Sequence, residues 1–398
     1  MRVTIKAKFS NQDIDKIISI ALMASFVILT LQFFVLMTFN LSDTTLGSQI
    51  QMLSKVLVGL VYLIALPKVM QRGLKSIIYV YLISGIIFLI QYLFYPGNRN
   101  IMQSLFFPVF FMSMPSLIYA FNIKDLTTFK AIMVKASFIV YLIGGLLAIL
   151  VFSGNVDIGP YSMTLSYYLL LPTIMFLDKF IDKFSFKTLF IVLTSMLIII
   201  ALGARGPFIG IFAFIPLKLI KPNTKLTIKR LIGFMFSSVI IIMGFIFRNR
   251  LLLRLNEVLA NFGIRSRTIS LFLSDGLNTS GRDGIYSLAI NAILKSPVFG
   301  YGIGADSFIT GHDYVHNFFL EVLLHFGIII GVIISIVLLA KLLYKLIKYN
   351  RINYNLIIIW VSIGFVHLMV SATYTTNINF WIFLGVLFTT RSAKLKKV

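Results

Sequence analysis

No cysteine occurs anywhere in the chain. This excludes disulfides, thiolate metal sites and thiol nucleophiles, so any chemistry must come from other side chains. Acidic residues are also scarce, 13 against 36 lysines and arginines, and charged residues of both signs make up only 12% of the sequence. Soluble domains carry about twice that share. The remainder is apolar: 59% of the 398 residues are hydrophobic and the mean hydropathy is +0.95. A soluble core cannot hide that much apolar surface, so the chain reads as an integral membrane protein.

The basic stretch "MRVTIKAKFSNQDIDK" precedes the first apolar run, and no small-residue cleavage site follows that run, so it is expected to remain as a signal anchor. A net charge of +23 suggests anionic partners. Nucleic acid is not expected among them, because the basic residues sit in short clusters between apolar runs, where membrane orientation accounts for most of them.

Apolar runs fall near 14–38, 52–70, 74–95, 102–121, 131–152, 161–178, 187–203, 206–220, 230–247, 317–340, 354–373 and 377–390. Each is read as crossing roughly 30 Å of hydrocarbon, which predicts an all-α polytopic fold of about twelve transmembrane helices. With the N-terminus inside, most of the 36 basic residues lie on inward loops and tails, placing both termini in the cytoplasm. The exceptions are Lys55, Lys295 and otherwise only arginines: Arg99, Arg205, Arg248, Arg250, Arg254, Arg265, Arg267 and Arg282. Orientation gives no reason to prefer arginine outside. The guanidinium stays charged and presents paired donors, which suits bidentate binding of phosphate oxygens. For any single one of these arginines, pairing with a lipid headgroup is an equal explanation.

The chain divides into transmembrane helices 1 to 9 over 1–247, one large extracytoplasmic loop over 248–315, and helices 10 to 12 with a basic cytoplasmic tail over 316–398. In the loop, "RNRLLLRLNEVLANFG" places Arg250, Arg254, Glu257 and Asn261 on one helical face, with Leu251, Leu252, Leu255, Leu259 and Phe262 opposite. This is the pattern of a helix lying in the membrane interface. No tandem repeat or low-complexity tract interrupts the sequence.

Three motifs bear on chemistry. "GYGIG", with Gly300, Gly302 and Gly304, lacks both a preceding strand and a Walker lysine, and reads as a tight backbone turn rather than a phosphate loop. "HDYVH" approximates a zinc-protease pattern, but Gly311 precedes His312 directly and the long helix begins only near His316 and Asn317. Two histidines that do not share a helix do not make that site, and no metal is expected. At a helix mouth, His316 can titrate near neutrality, take a proton from a sugar hydroxyl or donate to an oxyanion; taken alone, it need only terminate the helix. Glu321 and His325 follow on the same helical face and carry ionisable groups into the membrane, where such residues face protein or water. His325 reads as a satisfied interhelical donor and is not a candidate. Arg205 stands alone in "LGARGPF", in a turn shaped by Pro207 and its flanking glycines, and it snorkels to the surface or points toward the long loop.

The run "SGRDGIYSLAINAILKSPVFGYGIGADSF…HDYVHNFFLEVLLHFGIIIG" resembles the signature block of the O-antigen ligase and O-antigen polymerase superfamily of bacterial membrane glycosyltransferases. The matching residues are Arg282, Tyr286 at the aromatic position, the turn Ser296-Pro297-Val298-Phe299-Gly300, and His316-Asn317 followed by Gly327. "ARGPFIG" is similar to the family's outward arginine motif, with Arg205 and Ile209, although isoleucine replaces leucine there and tyrosine stands where tryptophan is common.

The resemblance implies a fold like the GT-C class, with transfer catalysed without metal or cofactor at the outer face of the bacterial cytoplasmic (inner) membrane, facing the periplasm or cell exterior. The donor would be an undecaprenyl-diphosphate-linked oligosaccharide. The implied catalytic residues are His316, Arg282 and Arg205, and the implied substrate-binding residues are Arg265, Arg267, Tyr286, His312, Asn317 and Glu321. His316 acts as base or as diphosphate ligand. Membrane lipids, a chain-length regulator and a flippase of the same pathway are the expected partners. The expected function is polymerisation of repeat units of O-antigen, capsule or exopolysaccharide, with a ligase that moves the glycan to a final acceptor as the alternative. The Ile, Phe, Lys and Asn bias of an AT-rich bacterium favours the polymerase. A lipid-linked oligosaccharide flippase or other transporter is the alternative of another class, which the absence of internal symmetry disfavours.

Overall fold

A computed structural model describes residues 11–156, 163–202, 204, 206–220, 248–261, 282–348 and 351–389. Among the described residues every regular element is helical. The first elements are α1 (Asn11–Thr38), α2 (Thr45–Phe94), α3 (Arg99–Phe107), α4 (Met114–Phe121), α5 (Leu126–Phe152), α6 (Met163–Asp182), α7 (Phe186–Ala201) and α8 (Gly206–Leu219). There follow α9 (Arg248–Asn261), α10 (Arg282–Lys295), α11 (Asp306–Thr310), α12 (Phe318–Lys348), α13 (Arg351–Trp360) and α14 (Ile378–Phe388). Six helical stretches are long and apolar enough to cross a membrane, and four shorter apolar ones accompany them. The protein is an integral membrane protein. The span expected at 230–247 lies outside the described residues.

At 50 residues, α2 would be about 75 Å long if straight, more than twice the roughly 30 Å hydrocarbon layer. Its contacts show that it doubles back. Ser54 reaches Gln32 and Arg72 reaches Asp15, so the first arm runs antiparallel to α1. Tyr62 meets Ser116, Arg72 meets the Asn122 carbonyl and Tyr81 meets the Phe110 carbonyl. Both arms therefore lie along the same stretch of chain, and the reversal falls at Gly73, the one residue inside α2 with non-helical dihedrals.

One end of the bundle is pinned by buried charges. Arg72 pairs with Asp15, while Asp178 on α6 holds both Lys130 of α5 and Lys218 of α8. Lys345 donates to the Thr389 carbonyl, and the Thr389 hydroxyl to the Phe121 carbonyl. Each charge meets a counter-charge or a carbonyl, without which its burial would be prohibitive. Tyr95, Asn98, the glycine turn and the mouth of α12 sit at the opposite end.

Between the two ends, α12 is interrupted. Asn317 caps it, its Oδ1 accepting from the amides of Phe319 and Leu320 at 3.0 and 3.3 Å. At Gly327 the helix breaks, with φ 77° and ψ 173°. The carbonyls of Leu324 and His325, freed by the break, accept from the amides of Tyr301 and Gly302 at 2.8 and 3.0 Å, and the Ile328 amide donates to the Pro297 carbonyl at 2.6 Å. The turn and the break lie backbone on backbone: a Cβ on Gly327 would stand 2.3 Å from the Val298 oxygen, and one on Gly300 would stand 2.5 Å from the Gly327 nitrogen. Asn98 then clamps the turn by donating to the carbonyls of Tyr301 and Ile303, and Gln91 accepts from the Ile303 amide at 3.0 Å.

After α13 the chain continues through a π-turn, Val361–Phe365, and one further turn, Val366–Leu368. The last two helices are shorter than the spans expected at 354–373 and 377–390, because residues 369–377 leave the helix. In "MVSATYTTN" the Ser371 carbonyl accepts from the Tyr314 hydroxyl, and the Thr373 hydroxyl donates to Glu321 of α12 and meets Thr375 within the segment.

Two stability predictions follow from these contacts. Gly327→Ala should lower the apparent melting temperature in detergent sharply, since a side chain at φ 77° and ψ 173°, a region essentially confined to glycine, costs about 1–3 kcal/mol before any clash with Val298. Asn317→Ala should cost about 1 kcal/mol through the lost cap, while Asn317→Ser stays close to wild type; equal melting of all three proteins would contradict the cap.

Candidate functional site

His316 and its surroundings form the candidate site. α10 packs on α12 through Ile285, Ala289, Ala292 and Ile293, with Val315 and Leu324 against them. This spacing buries one face of α10. Tyr286, one residue on from that face, is turned to the side, and its hydroxyl donates to the His316 carbonyl at 3.3 Å. Arg282 lies one helical turn before Tyr286 on the same side, close enough to influence the His316 imidazole electrostatically.

His316 is one of two non-glycine residues with positive φ among the described residues, at 60°. This conformation is uncommon for histidine and is held here from several directions. The ring Nδ1 lies 3.2 Å from the Val370 carbonyl. A carbonyl only accepts, so Nδ1 carries the proton and Nε2 is left with its lone pair. Tyr314 stands edge-on to the ring at 4.3 Å, its hydroxyl anchored to the Ser371 carbonyl at 2.9 Å. Burial, and next the Arg282 guanidinium, hold the His316 imidazole below its ordinary value of 6.5. His312 acts in the same sense, and the bond to Val370 opposes them. The imidazole is therefore neutral at pH 7 and able to accept a proton.

The other expected residues fall into separate groups. His312 is exposed and sits before α12 in an irregular segment, so it and His316 do not share a helix. Asn317 faces the helix end as its cap. Glu321 is buried and accepts from the Thr373 hydroxyl; it keeps company with Asp306 and His325 rather than with His316. Arg205, Arg265 and Arg267 lie outside the described residues. Gly206, which follows Arg205, packs against Tyr167 and Ser371, so α8 begins beside the segment that holds His316.

Residues 369–377 escaped the reading of the sequence. Val370 holds His316, Ser371 holds Tyr314, Thr373 holds Glu321 and the Tyr374 hydroxyl holds His325 at 2.8 Å. The polar run "SATYTTN" between two apolar stretches was the available signal. Asp306, buried against His325 at 2.6 Å, escaped as well. Beside this segment lies an apolar cavity of about 410 Å³ between α2, α12 and α14, lined by Phe88, Val322, Phe326, Trp381 and Leu384 and ending at Tyr374 and Thr375.

Neither a curated protein nor a solved structure matches the chain. Residues 190–335, a little over a third of the chain, match the family model described as O-antigen ligase. That stretch contains Arg205, Arg282, Tyr286, the glycine turn, His316 and Gly327, the residues on which the resemblance rests. Over residues 190–335 the protein is therefore similar to the O-antigen ligase family.

Proposed function

We propose that the protein polymerises undecaprenyl-diphosphate-linked oligosaccharide repeat units at the outer face of the cytoplasmic membrane. The bundle would then have about twelve spans, with the division 1–247, 248–315 and 316–398 and both termini inside. The observation that carries the reading is the pairing at His316: a neutral imidazole with Nε2 free, beside the guanidinium of Arg282.

In this mechanism the acceptor hydroxyl attacks the anomeric carbon of the donor glycan while the bond to the diphosphate oxygen breaks. The leaving electron pair departs on undecaprenyl diphosphate. His316 Nε2 takes the hydroxyl proton, which a neutral, oriented imidazole does well. Arg282 and Arg205, helped by Arg265 or Arg267, bind the diphosphate and stabilise the charge that develops on it. Tyr286 supports His316 through its carbonyl, and the apolar cavity at Tyr374 has room for a few isoprene units of the lipid. No resident metal or cofactor enters these steps.

A second reading, transfer of the finished glycan to a final acceptor, is favoured by the family description, which is that of a ligase. Complementation of a strain lacking the protein separates the two. His316→Ala and Arg282→Lys, at matched membrane expression, should reduce surface glycan at least about a hundredfold, the scale of a lost general base or bidentate charge contact. Collapse of the ladder to single lipid-linked repeats supports the polymerase, and long lipid-linked chains with no surface attachment support the ligase. Unchanged glycan in both variants contradicts the site.

The pH profile tests the base. Because the imidazole is held below 6.5, the acid limb of kcat/KM with a lipid-linked repeat should have its midpoint below 6.5. An acid limb centred above 6.5 would argue against neutral His316 as the group that takes the proton.

A further inference from the structure

Neither the pins of the bundle nor the proposed transfer accounts for the cluster of Asp306, Glu321 and His325. Their ligating atoms all lie within 4.8 Å of one another. Glu321 and His325 are one turn apart on α12, and Asp306 is the first residue of α11, just after the glycine turn. All three are almost fully buried, at 3%, 0% and 1% exposure for Asp306, Glu321 and His325.

Glu321 and His325 are each held by a hydroxyl at one atom, and each carboxylate of the cluster keeps one oxygen without a partner. Glu321 Oε1 accepts from the Thr373 hydroxyl, whereas its Oε2 has no partner. His325 Nδ1 is occupied by the Tyr374 hydroxyl at 2.8 Å, which turns Nε2 toward Asp306 Oδ2 at 2.6 Å. The second Asp306 oxygen, Oδ1, also has no partner. Among the described residues no lysine or arginine pairs with either carboxylate.

Unpartnered carboxylate oxygens in an apolar interior are costly, and two carboxylates this close repel one another. A divalent cation resolves both problems: its two charges balance the two carboxylates, and neutral His325 adds a nitrogen donor. A ligand whose far atom is held by a hydroxyl is the arrangement that orients metal ligands. One imidazole and two carboxylates suit zinc or manganese, whereas calcium collects six to eight oxygens. These residues are distinct from the "HDYVH" pattern, whose histidines do not share a helix.

We propose that Asp306, Glu321 and His325 bind a divalent transition-metal ion that ties α11 to α12 beneath His316. On binding, the neutral His325 ring carries its one proton on Nδ1, which donates to the Tyr374 hydroxyl oxygen, so that Nε2 offers its lone pair to the ion; any protons held by the two carboxylates leave to solvent and both bind ionised. The ion is structural and takes no part in glycosyl transfer, so the proposal stands apart from the reading of the reaction.

The test is total metal content of the full chain, purified in detergent through a histidine-free tag from medium supplemented with zinc and manganese, after chelator washing. About one equivalent of zinc or manganese per chain is expected in the wild type, with a fall to below about a tenth in Glu321→Gln and Asp306→Asn. X-ray absorption of the wild-type protein should show one imidazole and carboxylate oxygens around the metal, which decides the matter even if a variant fails to fold. Monodisperse wild type without metal overturns the proposal and leaves the carboxylates neutralised by protons. Metal retained in both variants, or a first shell without imidazole, overturns it as well.

Discussion

A helix that breaks inside an apolar layer must hand its freed backbone groups to another piece of the chain, since each one left unpaired there costs several kcal/mol. At Gly327 the partner is the turn 297–302, which takes the carbonyls of Leu324 and His325 and supplies one to Ile328. Much of the site depends on this exchange. It fixes the end of α10, and so the approach of Arg282 and Tyr286 to His316; it also delivers Asp306 to His325. Asn98 and Gln91 secure the turn from behind and link the exchange to the early helices.

The second support is the unwound stretch 369–377. In a helix its carbonyls would be spent on its own ladder. Released, the carbonyls of Val370 and Ser371 reach His316 and Tyr314, and the side chains of Thr373 and Tyr374 reach Glu321 and His325. A left-handed residue such as His316 keeps an unfavourable backbone only because so many neighbours determine it. The same neighbours decide which ring nitrogen is available.

Much of this was legible in the sequence. Length and polarity of the apolar runs mark the helices because the bilayer permits little else. Gly311 and the His316-Asn317 pair gave the start of α12, and Gly300, Gly302 and Gly304 gave a turn; His316 and these four glycines have positive φ in the structure. The partner of that turn was not legible: Gly327 sits within a run that reads as one continuous membrane helix, and only the meeting of two distant backbones shows why a side chain is excluded there. Residues 369–373 were absorbed into one span and Asn377 into the next, leaving 374–376 as a bare link, because serine, alanine and threonine are tolerated in membrane helices. Asp306 was hidden for a related reason, since a lone aspartate in a glycine-rich loop reads as solvated until its burial against His325 is seen. Glu321 was recognised as costly and therefore partnered, but its partners lie in other segments and no spacing along α12 reveals them.

The stretch that sequence comparison recognises, 190–335, is not the unit that works. His316 takes its orientation from Val370, and the glycine turn is held by Gln91 and Asn98, all outside that stretch. The recognisable block therefore cannot be moved as a cassette: a chimera that grafts 190–335 onto the framework of a similar protein carries His316 and the glycine turn and leaves their supports behind. Exchange with a similar protein has to transfer the loop before the last helix and the bend after α2 along with it, and evolutionary change at any of the three places is constrained by the other two.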